Sequence, residues 1–449
     1  MAWNPTFDTR SPSTRAGSFT RISAQLQPHV RLGEMSAPPG ALIEPEGQLA
    51  SRERPWLFAF LISADAVISL GFVGGGLSYL LRLQGVDPSR SASIIALLAL
   101  PHAIYFLWGP LTDFFVRRRT WLILAAVAAA ATFLVAFLQP HLASARAVAL
   151  MFLGACFGVI VPAACGGMMG ALKSEVNRRR AGSFYQTGSL AFGAIAVLAL
   201  VSLSAHMRVS SLGLVVAAMI IAPALFALAA PPQQMIRESH AAEALARIGR
   251  EFQQTFLRWE AIPYALLVTA PFCSGALIGL LPGLATDYGV SGAQVAWING
   301  VGGALLTAAG ATVVSFIPVR IRASIAFPIS GLVNAAAAAV LALGPQTPAV
   351  YFTGTVLFLF TIGAGYALFT GVSLEFLGGS GKSGSARYAI INSLGNLPVA
   401  YMSYLDGRAY AHWGPRAMPA ADAILAALGA SLLLAHFVVS RRRQRSKSA

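Results

Sequence analysis

Between residues 57 and 440 the sequence is a succession of apolar runs separated by short polar connectors. Each run is near the length a helix needs to cross a bilayer, about 20 residues. No other feature constrains the fold as strongly. A backbone in hydrocarbon must satisfy its own hydrogen bonds, so runs of this length predict helices packed on helices. Twelve are predicted, at 57–81, 92–112, 120–139, 146–171, 182–204, 209–230, 260–283, 293–317, 323–343, 348–376, 385–407 and 417–440. Composition agrees: 56% of residues are hydrophobic and 11% charged, against about 25% charged in a soluble domain. Cys156, Cys165 and Cys273 lie inside apolar runs without metal-ligand spacing and read as small buried side chains.

The cations divide by side. With the N-terminus placed in the cytoplasm, 22 of the 32 Lys and Arg fall in inside loops and the C-terminal tail. Only six fall outside: Arg82, Arg90, Arg146, Arg208, Arg408 and Arg416. This positive-inside bias puts both termini in the cytoplasm, as an even number of spans requires. It also accounts for the net charge of +15 without nucleic acid as a partner. The expected organisation is a disordered tail at 1–53, a six-helix bundle at 54–230, an amphipathic linker at 231–259, a second bundle at 260–440 and a basic tail at 441–449. Arg10, Arg15, Arg21 and Arg31 give the first tail a means of touching anionic lipid. No apolar stretch in residues 1–50 has the form of a signal peptide. The halves echo each other faintly, Leu83-Gln84-Gly85-Val86 after the first span and Asp287-Tyr288-Gly289-Val290 after the seventh.

The most specific segment is GPLTDFFVRRR, residues 109–119. Gly109 and Pro110 end a helix. Asp113 can accept hydrogen bonds from the next helix start or pair with arginine. Arg117, Arg118 and Arg119 hold the loop inside. With Leu111, this pattern resembles the loop signature of the major facilitator superfamily, although Phe114 stands where a basic residue is usual. The resemblance implies an all-α fold of two six-helix halves. It also implies a conformational latch at Gly109, Leu111, Asp113 and Arg117–Arg119. The second half has no acid in the matching loop, Pro318–Arg322.

A narrower resemblance rests on Arg54-Pro55-Trp56-Leu57, Leu77-Ser78-Tyr79-Leu80-Leu81-Arg82, Tyr105-Phe106-Leu107-Trp108-Gly109 and Ala386-Arg387-Tyr388-Ala389-Ile390-Ile391-Asn392. These are similar to the muropeptide permease (AmpG-type) branch, which also holds acetyl-CoA transporters and ferric-siderophore permeases. The resemblance implies uptake of a medium-sized solute. Tyr105 occupies a position where many members of the branch carry lysine.

Ionisable groups inside a membrane are costly and tend to be functional. Asp65 in the first span and His102 in the second are the proton-coupling candidates. Glu375, at the inner end of the tenth span, is expected to pair with Lys382 or Arg387. Substrate contacts are expected from Tyr79, Tyr105, Trp108, Gln186, Asn299, Asn334, Asn392 and Asn396. Asn392 and Asn396 share a helix face.

No GxxxxGK[ST] loop, GxSxG elbow or HExxH motif is present. The reading is therefore a secondary transporter of the inner membrane, not an enzyme, monomeric and without cofactor. Its partners are a small-molecule substrate, protons and membrane lipids. Proton-coupled uptake of anhydro-muropeptide leads; import of ferric siderophore or acyl-CoA-like cargo and drug or metabolite efflux are the alternatives.

Overall fold

The computed structural model describes residues 53–107, 116–172, 175–230, 258–318, 321–377 and 384–448, with a few single positions between them. The chain divides into Met1–Pro45, outside the described residues, and a helical unit Glu46–Ala449. The first tail, most of the expected linker and the side chains of the basic tail also lie outside. Among the described residues there is no strand.

The helical unit is an all-α polytopic fold of two six-helix halves. The first half comprises α1 (57–83), α2 (Pro88–Ala103), α3 (Arg118–Phe137), α4 (Ala145–Gly170), α5 (Glu175–Ser204) and α6 (Val209–Ala224). The second comprises α7 (Ile262–Val268 and Ala276–Leu284), α8 (292–313), α9 (Ala323–Leu343), α10 (Pro348–Leu377), α11 (Gly384–Trp413) and α12 (Ala417–Ser448). With twelve segments, α1 begins and α12 ends on the same side of the bundle, the terminal end. The α1–α2, α7–α8 and α11–α12 connections lie at the opposite, far end.

Ten of the twelve are continuous helices long and apolar enough to cross a membrane. The other two differ for physical reasons. The seventh was expected to run unbroken over 260–283, but it breaks between Val268 and Ala276. Pro271 cannot donate a ladder hydrogen bond. Cys273 and Gly275 take positive φ of 52° and 78°, which takes the chain out of the helical path. The break is held by Tyr401 on α11, whose hydroxyl donates to the Thr269 carbonyl at 2.8 Å, as freed backbone in a membrane requires. α11 is long enough but carries Asn392, Ser393, Asn396, Ser403 and Asp406, so its hydropathy is low. Part of that polarity meets protein neighbours, since α11 packs on α2 and bonds with the residues that follow it.

Small residues set the helix spacing. A side chain at Gly310 on α8 would collide with the Phe360 carbonyl on α10, and one at Gly363 on α10 with the Thr307 carbonyl on α8. Backbone contact of this kind is how helices associate where lipid removes the hydrophobic drive. Large apolar side chains such as Leu124, Leu214, Leu228 and Leu432 remain exposed, as a lipid-facing surface allows. The halves meet along α2 with α11, α1 with α7, and α5 with α8. α5 lies chiefly against the far-end part of α8 and touches Gly302–Val313 much less.

Candidate functional site

Asp65 lies near the start of α1, two residues before a wide π-type turn over Val67–Gly76. Such turns are rare and concentrate at functional sites. The Ser69 hydroxyl donates to the Asp65 carbonyl at 2.8 Å and approaches its Oδ2 at 3.5 Å. His102 lies near the end of α2, one residue after Pro101. That proline removes a ladder hydrogen bond, and the helix ends at Ala103 before a 3-10 turn over Tyr105–Leu107. The result brings two residues 37 apart in sequence into contact. His102 Nε2 lies 2.9 Å from Asp65 Oδ1, and Asp65 is buried. Cys165 of α4 is also buried nearby.

A second group gathers just beyond His102 on the seam between halves. The Phe106 N–H donates to Ser393 Oγ at 3.1 Å. Asn392 Nδ2 donates to the Tyr105 hydroxyl at 3.5 Å. Asn396 bonds back to the Asn392 carbonyl at 3.1 Å. Four expected site residues, Asp65, His102, Tyr105 and Asn392, thus lie close along the first turns of the seam, with Asn396 one turn on.

The remaining expected residues are dispersed. Asn299 donates to the Tyr351 hydroxyl at 2.9 Å within the second half. Asn334 is buried and donates to Thr361 Oγ1 at 2.9 Å, joining α9 to α10. Tyr79 is buried at the far end, its hydroxyl against Gly292. Gln186 is exposed on α5. Trp108, Gly109, Leu111 and Asp113 lie outside the described residues. Of the basic cluster, Arg117 is exposed at the start of α3. Arg118 Nη1 donates to the Gly167 carbonyl at 2.6 Å, and Arg119 to the Ala230 carbonyl at 3.4 Å.

Glu375 was expected to pair with Lys382 or Arg387, whose side chains lie outside the described residues; the partner found is Arg322. Arg322 Nε donates to Glu375 Oε1 at 2.6 Å. Ser324 adds its N–H at 3.1 Å and its hydroxyl at 2.8 Å, and the Tyr264 hydroxyl adds a bond at 3.1 Å. The carboxylate so caps the N-terminus of α9.

Sequence reasoning missed a cluster at the far end. Arg82, at the end of α1, donates to Asp287 Oδ1 at 2.7 Å and to Thr286 Oγ1 at 3.0 Å. Tyr410 of α11 donates to Asp287 Oδ2 at 3.1 Å. Asp287 lies in the connector after α7, where burial pushes its carboxyl up from the ordinary value, outweighing the opposite pull of Arg82 and the Tyr410 hydroxyl. The signal that could have found this cluster was the repeat: Gly85 and Gly289 mark equivalent helix ends, and opposite charges stand just before them.

Two bundles of six helices meet along α2–α11, α1–α7 and α5–α8, the second opening on a broken helix, and solved transporters share this arrangement. The fold is that of the major facilitator transporters. The structure is similar to that of a POT family transporter solved with 5-aminolevulinic acid, with a TM-score of 0.67, 12% identity, and coverage of 88% of this chain and 96% of that one. It is similar to a D-xylose-proton symporter, with a TM-score of 0.62 and 14% identity over 84% of this chain and 95% of that one. It is also similar to a bacterial homolog of the human lysosomal transporter Spinster, solved inward-facing and unoccupied. There the TM-score is 0.59 and the identity 14%, over 88% of this chain and 95% of that one. All three are transporters, not enzymes. The model of the BT1 family, a family of the major facilitator type, matches residues 70–276, from within α1 to the second piece of α7. No curated protein is significantly similar in sequence.

Proposed function

We propose that the protein is a proton-coupled secondary transporter that imports a medium-sized solute, such as an anhydro-muropeptide, across the inner membrane by alternating access. The terminal end, which carries the cationic excess, is cytoplasmic in this reading. The observation that carries it is the 2.9 Å contact between His102 and Asp65. A carboxylate and an imidazole in contact share one proton while the pair stays neutral. Gaining or losing one further proton puts a net charge in apolar surroundings, which is costly. A cycle that moves the pair between water and the bundle interior therefore couples proton transfer to the motion. The substrate path runs along the seam beside Tyr105, Asn392 and Asn396, next to that pair. The resemblance to the muropeptide permease branch supports the cargo.

The test is uptake into proteoliposomes under an imposed proton gradient, with labelled anhydro-muropeptide, ferric siderophore and CoA ester as separate arms. Gradient-driven accumulation of anhydro-muropeptide is expected. Asp65→Asn and His102→Gln should abolish its dependence on the gradient while exchange without a gradient persists. Uptake in the siderophore or CoA arm alone would overturn the cargo. Unchanged gradient dependence in Asp65→Asn would overturn the coupling role.

A further inference from the structure

Two acids that the account above does not use sit in the far-end part of the second half. Asp406 on α11 is 0% exposed and Asp422 on α12 is 3% exposed. The two helices pack on each other as a hairpin, and the two acids lie at similar distances from the turn between Trp413 and Ala417. Among the described residues, neither carboxyl oxygen of Asp406 has a hydrogen-bond partner, and nor does Ser403 Oγ one turn earlier on the same helix.

The surroundings offer no counter-charge among the described residues. α2 brings Ala92 and Ser89 against Gly407. α7 brings Cys273, which lies within reach of the Asp422 charge. The second piece of α7, Ala276–Leu284, has no titratable side chain. α9, which packs on α12, has no titratable side chain over Ala323–Leu343. Arg408 and Arg416 are exposed, Arg90 on α2 donates to the Ala143 carbonyl, and Arg82 is held by Asp287. Two ionised carboxylates in such a place repel one another and lose their hydration. An ionised Asp406 would also have no donor to stabilise it. A metal ion is not the natural remedy, because calcium takes six to eight oxygens. No group of three or more His, Cys, Asp and Glu gathers among the described residues.

We infer that Asp406 and Asp422 form an acid pair that holds a proton within the second half, a second ionisable site separate from Asp65 and His102. The far-end cluster gates it. Tyr410, one turn beyond Asp406 on α11, is the residue that donates to Asp287. Met418, one turn before Asp422 on α12, lines a small cavity with Ser78, Arg82, Leu280 and Gly283. Opening the Arg82–Asp287 contact would therefore bring far-end water to within a turn of both acids. This inference does not depend on the identity of the cargo or on the role of Asp65.

The test is infrared difference spectroscopy of the full chain in nanodiscs, followed through the carbonyl stretch of protonated carboxylic acid. Wild type should keep such a band at neutral pH. Asp406→Asn should remove it, Asp422→Asn should remove or shift it, and Asp65→Asn should leave it. Exchange of this proton for deuterium should be severalfold faster in Arg82→Ala than in wild type. A band that is absent at neutral pH, or one that survives both Asp406→Asn and Asp422→Asn, would overturn the pair. So would a band erased by sodium or calcium at constant pH, which would make the site a cation site. Equal exchange in wild type and Arg82→Ala would overturn the gating.

Discussion

Two clusters at opposite ends of the molecule are built from nearly the same parts. At the far end, Arg82, Asp287, Thr286 and Tyr410 join α1 to the α7–α8 connector and α11. At the terminal end, Arg322, Glu375, Ser324 and Tyr264 join α7, α9 and α10. Each has an arginine, a carboxylate, a hydroxyl and a tyrosine. The difference is which halves they join. The first spans the two halves, so separation of the halves at the far end must break it. The second lies wholly within the second half and survives such a motion. The same chemistry is a latch in one place and a brace in the other, and only the fold tells them apart. The first half has its own brace: Arg118, 204 positions before Arg322, ties the start of α3 to the end of α4 through the Gly167 carbonyl.

The comparison breaks most readily at the brace. Glu375→Ala strips the cap from α9, leaves the Tyr264 hydroxyl without its acceptor and leaves Arg322 only the Tyr264 oxygen. The expected cost is about 1–3 kcal/mol of stability, read as a lower unfolding temperature. The separation of the two halves at the far end should not change. A Glu375→Ala protein that unfolds normally but opens at the far end would reverse the assignment of brace and latch.

The latch should respond the other way. Arg82→Ala leaves the Asp287 carboxylate, with a side chain only 13% exposed, without its cation. Breaking a pair on one side is costlier than removing both partners. The expected outcome is a shift toward the far-end-open state of about tenfold, or 1.4 kcal/mol. Asp287→Asn should not shift it that way, because a neutral group suits the buried site and the Arg82 side chain is 28% exposed and reaches water. Arg82→Ala combined with Asp287→Asn should be milder than Arg82→Ala alone. Spin-label distances in the three variants check this, and strict additivity would contradict it.

A smaller effect follows from pH. Burial raises Asp287 above its ordinary value when the far end is closed, and opening returns it to water. The state with the raised value binds the proton more tightly, so closure gains as pH falls through the window between the raised and ordinary values. Closure is lost as pH rises through that window. The same distance measurement across a pH series should show it in wild type and not in Asp287→Asn. The smallest change concerns Asn334, which joins α9 to α10 inside one half. Asn334→Ala should cost about 0.6 kcal/mol in a denaturation series and leave both latch and transport as they are.

Much of this was legible in the sequence, and the rest failed for identifiable reasons. The apolar runs announced the helices, because backbone in lipid has few options. The break in α7 was not foreseen, since Pro271 and Gly275 are tolerated in many membrane helices and only the Tyr401 bond makes the interruption affordable. Asp65 and His102 were singled out by one rule, that charge in an apolar run carries meaning, and the fold places them in contact. The same rule applied to Asp406 and Asp422, which were passed over because they lie near the ends of their spans. Glu375 was given partners close in sequence, whereas the fold supplied one from the start of α9. Asn334 and Asn299 were read as substrate contacts, and the fold shows their amide N–H groups bonded to neighbouring helices. Arg82 and Asp287 are too far apart in sequence for a local pattern to join them, and only the repeat between the halves, at Gly85 and Gly289, pointed to both.

The central claim is that the halves separate at the far end when the latch is broken and close there when the terminal end opens. Spin labels at His141 and Gln346, both exposed far-end positions in different halves, read one side; labels at Arg180 and Ile321 read the other. The account predicts that Arg82→Ala lengthens the first distance and shortens the second in the same sample. Two distances that both stay at their wild-type values, or that lengthen together, would contradict it.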